Sequence, residues 1–150
     1  MHYEEFLNDS SSLGGFTAYI AVILLFFLTE NPVAVNQLLV SFVAISVLIV
    51  ATRILHYKER PIKRPYESWL EKVQASSFPS GHAARITSLL IISGKHLQLD
   101  YFSVLALVVV CLVVGSRIAL KKHEAVDALF GIILGTAVSL ASILLMPGNA

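Results

Sequence analysis

The chain reads as an all-α integral membrane protein: a bundle of about five transmembrane helices, with a short interfacial helix in the loop between the second and third. Three observations predict this. The 150 residues are 56% hydrophobic and 14% charged, against roughly 45–50% and 25% in soluble domains. The mean hydropathy is +0.76. The apolar residues also fall into long blocks, with the charges gathered between them. The length admits one domain, residues 1–150. A single cysteine, Cys111, excludes an internal disulfide.

Residues 1–15 are polar and acidic and lack the basic start of a cleaved signal peptide. Phe16 to Leu28 is the first apolar block, ended by Glu30-Asn31-Pro32. A helix that short covers about 20 Å of a ~30 Å hydrocarbon core, so it is expected to begin near Ser10–Ser12 or to lie tilted. Val33 to Leu55 is long enough to cross, with Pro32 at a natural helix start and Arg53 near the end to snorkel.

The active-site-side loop, 56–81, contains the one long polar stretch, broken at Pro61 and Pro65. Tyr66 to Val73 can form a surface helix with Tyr66 and Trp69 at headgroup level; an ordered loop anchored by Trp69 is the alternative. Ala83 to Leu97 carries Arg85, Thr87, Ser88, Ser93, Lys95 and His96. Such polarity suits a helix buried among others. Leu99 to Ile118 and Ala125 to Met146 are strong spans joined by the basic turn Leu120-Lys121-Lys122. Gly131-x3-Gly135 is a close-packing pattern, for the inside of the bundle or for a homo-oligomer.

With this order of crossings, Arg53 to Arg60, Ser80-Gly81-His82 and Arg117 to Asp127 reach the same membrane face. His123 and Asp127 are four apart, so a helix puts them on one face, where a carboxylate can orient an imidazole as nucleophile or base. Ser80 is a good N-cap, and the helix start behind it, with Gly81, is an anion cradle. His82 at that mouth could protonate a departing oxygen. Arg53, Arg60 and Arg117 supply guanidinium groups suited to a phosphoryl group. Lys58, Lys63 and Arg64 are expected to face headgroups, and Lys121 and Lys122 to anchor the turn. His2, His56 and His96 stand isolated, so no metal site is expected. The bland alternatives are a capped helix start, a self-satisfied His–Asp pair and snorkelling arginines.

Arg53-x6-Arg60-Pro61, Pro79-Ser80-Gly81-His82 and Ser116-Arg117-x5-His123-x3-Asp127 together resemble the three-part signature of the type-2 phosphatidic acid phosphatase superfamily. That superfamily also contains the vanadium haloperoxidases. The resemblance implies a metal-independent hydrolase with no cofactor. His123 would attack phosphorus, Asp127 orient it and His82 protonate the leaving group, while Arg60, Arg117, Ser80 and Gly81 bind phosphate. It implies a lipid phosphate substrate in the bilayer and no nucleic-acid partner.

The sequence departs from the pattern in two ways. Arg53 stands where Lys is usual. An alternative register, Lys58 to Arg64-Pro65, is one residue short, a rotation of ~100° on a helix. An equivalent of the first of six usual spans is also lacking, so the lipid-entry side is expected to be more open or completed by another subunit. The Phe78 to Arg85 context resembles the presqualene and polyisoprenyl diphosphate phosphatases, which makes Arg85 a candidate contact for a second phosphate. Glycerolipid phosphates, and a non-catalytic lipid-phosphate-binding protein, remain alternatives; a small transporter ranks last.

Ten of the eleven Lys and Arg residues fall on the motif face, with Lys95 alone opposite. The positive-inside rule then places that face and the N-terminus in the cytoplasm. A phosphate-handling face would be basic on either side.

Overall fold

The computed structural model describes residues 2–63, 65–98 and 101–147. Arg64, the expected span start at Leu99 and the side chain of His2 lie outside what is described. The described residues form helices and no strand: α1 (His2–Ser12), α2 (Phe16–Leu28), α3 (Pro32–Leu55), α4 (Trp69–Ala75), α5 (Gly81–Leu97), α6 (Phe102–Ala119) and α7 (Ala125–Leu145).

Three of these, α3, α6 and α7, are long and apolar enough to cross a bilayer. Their outer faces expose large apolar side chains such as Val43, Val47, Val104, Leu107 and Ile133, which is the surface of a membrane protein. The first apolar block does not extend back to Ser10–Ser12. The chain turns at Gly14–Gly15, with the Gly15 amide donating to the Ser12 carbonyl at 2.8 Å. α1 is therefore a separate helix, packed along α6. α2 is pinned instead through Tyr19, whose hydroxyl bridges Leu38 O and Ser88 Oγ, both at 3.3 Å. Tyr19 and Phe26 join Ala34, Leu38, Leu89 and Ile92 in the main apolar core.

α5 is the central helix and touches α2, α3, α6 and α7. Its polar residues Arg85, Thr87, Ser88 and Ser93 are buried, as its composition predicts. α7 packs against it most closely because Gly131 and Gly135 present backbone where side chains would not fit. A Cβ on Gly131 would stand 2.5 Å from Ser80 O, and one on Gly135 would run into the Ala84 carbonyl. The glycine pattern thus faces the inside of this bundle.

α4 starts later than the expected 66–73 because Ser68 caps it. Ser68 Oγ accepts from the Glu71 amide at 3.2 Å, and Glu71 Oε2 accepts from the Ser68 amide at 3.3 Å. At the opposite end of the bundle, His96 is not isolated. It meets Gln37 Oε1 at 2.9 Å and Asn31 Nδ2 at 3.3 Å, while Gln37 Nε2 donates to Met146 O at 2.7 Å. This network ties α3, α5 and the end of α7 far from the motif residues.

Candidate active site

Four separate parts of the chain deliver their polar side chains to one cavity. Arg53 comes from the last turn of α3 and Arg60 from the loop beyond it. Gly81, His82 and Arg85 come from the first two turns of α5, and Arg117 and His123 from the end of α6 and the turn after it. All seven line a cavity of about 400 Å³. Its other wall is apolar, built from Ile49 and Val50 of α3 and Trp69, Leu70 and Val73 of α4. No carboxylate among the described residues lines it. Among the described residues, no three His, Cys, Asp or Glu side chains cluster as a metal site would require.

The turn that carries His123 is tightly made. The amides of Lys122 and His123 both donate to Arg117 O, at 3.0 and 3.3 Å, and Lys121 takes a left-handed φ of 52°. His123 is only 2% exposed. Its Nδ1 lies 2.7 Å from Ser77 O. A carbonyl can only accept, so Nδ1 carries the proton and Nε2 keeps its lone pair. Arg117 Nη2 stands 3.5 Å from that Nε2. Burial, then the charges of Arg117 and Arg60, push the His123 pKa from its usual 6.5 down to about 3. A neutral imidazole with an unprotonated Nε2 beside an arginine is in the state a nucleophile needs.

Ser80, Gly81 and Asp127 form the scaffold around it. Ser80 Oγ accepts from the Ala83 amide at 3.4 Å, capping α5, and the Ser80 amide donates to Asp127 O at 2.9 Å, locking α5 to the start of α7. The Asp127 side chain lies beside His123, as the spacing predicts, at ion-pair rather than hydrogen-bond distance. Its Oδ2 is 4.0 Å from His123 Nδ1, beyond hydrogen-bond range. The carboxylate, fully buried, accepts instead from Lys58 Nζ at 2.6 Å and from the Glu124 amide at 2.8 Å. The reason is local: as third residue of α7, Asp127 folds back to serve the free amide before the helix. Lys58, expected to face headgroups, is thereby turned inward, and Glu124 Oε2 holds it from the other side at 2.7 Å.

The arginines are braced by carbonyls. Arg53 Nη2 donates to Pro79 O at 3.1 Å and Arg60 Nη2 to Gln74 O at 2.9 Å. Arg85 Nε donates to Gly14 O at 3.2 Å, and its guanidinium lies 4.3 Å from the Phe16 ring centroid. The N-terminal turn therefore belongs to the site. Gly14 sits against His82, since a Cβ there would be 2.9 Å from His82 O. Lys122, expected as an anchor, reaches Asn8 of α1 at 3.0 Å.

Gly14, Phe16, Lys58 and Ser77 are what the sequence reading missed. Ser77 contributes a backbone carbonyl, which no sequence pattern marks. Gly14 and Phe16 are far from the motifs in the chain. The only signal was the spacing that offered Lys58 as a competing first motif position.

A family model described as the PAP2 superfamily matches residues 57–150, a segment that holds Arg60, Ser80, His82, Arg117, His123 and Asp127 but begins just after Arg53. The fold is similar to that in the crystal structure of Aquifex aeolicus LpxE, with a TM-score of 0.77. The two chains are 16% identical, and the similarity covers 95% of this chain and 86% of that one. A comparison of the sequence with curated proteins finds no match.

Proposed function

The chain belongs to the PAP2 superfamily, and we propose that it is a membrane lipid phosphatase that hydrolyses an isoprenoid diphosphate or related lipid phosphate through a phosphohistidine intermediate, without a metal. The observation that carries this is the ring of Arg53, Arg60, Arg85 and Arg117 around one cavity that also holds His123 and His82 and, among the described residues, has no carboxylate on its lining. A terminal phosphate brings about −1.5 to −2, and a second phosphate about one further charge. Four guanidinium groups therefore match a diphosphate better than a single phosphate. Arg85, held by Gly14 and Phe16, is the member we assign to the second phosphate.

Chemically, the His123 Nε2 lone pair attacks phosphorus, forming the N–P bond as the bond to the lipid-side oxygen breaks. His82, which takes up a proton once the phosphate brings its negative charge into the cavity, gives that oxygen its proton as an imidazolium and is left neutral. Water then attacks the phosphohistidine, returning a proton to His82 and the electron pair to Nε2, and inorganic phosphate leaves. The arginines hold the charge that spreads over the equatorial oxygens. The apolar wall of Ile49, Val50, Trp69 and Leu70 takes the start of the lipid chain, and the site faces the cytoplasmic leaflet by the excess of cations on its side.

The test is phosphate release in detergent micelles containing EDTA. Polyprenyl diphosphates are compared with phosphatidic acid and phosphatidylglycerol phosphate, using wild type and His123→Ala. Metal-independent release that disappears in the variant, with an acid-labile phosphoenzyme trapped in wild type alone, is expected. Release that survives in His123→Ala overturns the mechanism. Preference for a glycerolipid monophosphate overturns the diphosphate assignment, and a folded wild type that releases nothing from any lipid overturns the enzyme.

A further inference from the structure

Lys58 stands at a junction that the catalytic scheme above does not use. Its ammonium is shared between Asp127 Oδ1 at 2.6 Å and Glu124 Oε2 at 2.7 Å, both on the start of α7. Its backbone is paired with the segment that holds His123: the Lys58 amide donates to Ser76 Oγ at 3.2 Å, and the Ser77 amide donates to Lys58 O at 2.8 Å. The next residue continues the pairing, with Ser77 Oγ donating to Glu59 O at 3.3 Å. The Ser77 carbonyl in turn accepts from His123 Nδ1. Lys58 does not line the cavity.

We infer that Lys58 is a positioning residue for His123: it draws the Asp127 carboxylate away from the imidazole and fixes the Ser77 carbonyl as the acceptor that sets the imidazole tautomer. The inference rests on the proposed role of His123 as nucleophile. Its physical content is a competition. A buried carboxylate 4.0 Å from Nδ1 would favour the imidazolium if nothing else neutralised it. Lys58 neutralises it. Here burial lowers the Lys58 pKa, but the hydrogen bonds to Asp127 and Glu124 outweigh it, so the ammonium stays charged across the working range. The charged groups facing His123 from the other elements are Arg53 of α3, Arg60 of the following loop, and Arg117 of α6; His82 of α5 also faces it. None of these is an anion. The hydrogen bond to Ser77 O already raises the His123 pKa against these cations; among the described residues Asp127 is the anion at 4.0 Å that could raise it further, and Lys58 is the cation that counters it.

The experiment is a pH titration of His123 by NMR in histidine-labelled protein in detergent micelles, with the signal assigned by loss in His123→Gln. The pH profile of phosphate release runs beside it. In Lys58→Met the His123 titration is expected to rise from about 3 by at least about one pH unit, and the acid limb of the activity profile to move up with it. Lys58→Arg keeps the charge and restores the wild-type titration. Lys58→Met combined with Asp127→Asn removes the stranded carboxylate, and the titration returns to its low value even where activity does not. A His123 titration unchanged in folded Lys58→Met, or an acid limb of activity that stays at its wild-type pH, overturns the inference. The NMR arm needs no turnover, so failure of the phosphatase assignment and failure of the Lys58 clamp are read separately.

Discussion

Adding one methyl group at Gly135 tests whether the spacing of α5 and α7 sets the chemistry at the far end of those helices. In Gly135→Ala the new Cβ would meet the Ala84 carbonyl oxygen and stand 3.1 Å from the carbonyl carbon and Cα of the same residue. All three are backbone atoms, so none can swing away. Contacts between carbons are comfortable at 3.5–4.0 Å, so the helices must part by about 1 Å. Overpacking of that size costs about 1–3 kcal/mol. The functional cost follows from what each helix carries: α5 delivers His82, while the turn before α7 delivers His123. The two helices are joined at their site ends by the Ser80 amide and Asp127 O, 2.9 Å apart. A displacement of about 1 Å between reacting groups is worth about a hundredfold in rate. The assay is phosphate release from the preferred lipid, with thermal unfolding in the same detergent. Gly115→Ala is the control, because a Cβ there meets nothing within 4 Å; it should be neutral or slightly stabilising through better helix propensity. The expected result is a Gly135→Ala variant that melts lower and loses about two orders of magnitude in kcat, with Gly115→Ala like wild type. Full activity and unchanged melting in Gly135→Ala would refute the claim that the glycine faces α5.

Other expectations are more direct. His82→Asn should lower release from alkyl lipid phosphates by about 10²–10⁴-fold, the usual worth of a general acid. It should spare an aryl phosphate, whose leaving group needs no proton; equal losses on both would remove His82 from that role. Arg85→Met should reduce turnover of a diphosphate at least about tenfold more than that of the matching monophosphate, the difference of one charge-assisted contact. An equal effect on both would assign Arg85 to packing against Phe16. Trp69→Ser combined with Leu70→Ser should raise KM for long-chain lipids and leave a short-chain soluble phosphate unaffected. An unchanged long-chain KM would place the lipid elsewhere than along α4. Because His123 is held neutral by burial and by Arg117 and Arg60, folding must exclude a proton from it. Stability should therefore fall as pH drops from the unfolded value of about 6.5 toward 3, with His123→Gln less acid-labile than wild type by differential scanning.

Much of the architecture was legible in the residue order. Apolar block length set α2, α3, α6 and α7 but not the polar α1, Pro32 and Ser80 marked helix starts, and the polar residues of α5 predicted its central place. These are local properties, set by hydration, capping and backbone sterics within a few residues. The motif residues were legible for the same reason, because a charged or imidazole side chain in an apolar chain is conspicuous wherever it lies. That Arg53, Arg60, His82, Arg117 and His123 would gather at one end of the bundle was read from the order of crossings; the cavity they share is a product of the packing.

What meets what inside that cavity was decided only by tertiary structure. Helical spacing put Asp127 beside His123, yet the carboxylate turned to the free Glu124 amide and to Lys58, because a buried anion goes to the closest cation and donor. The His123 tautomer came to depend on the Ser77 carbonyl, a backbone atom that every residue carries and that no side chain announces. The direction faced by Gly131 and Gly135 was likewise open until α5 was seen against them. Gly14 and Phe16 entered the site from the other end of the chain, since packing brings together groups whose separation along the sequence carries no information about it. The sequence by itself thus determined the helices and the chemical groups available at one membrane face. The partner of each group was chosen by three-dimensional packing, where distances of a few ångströms decide which hydrogen bond forms.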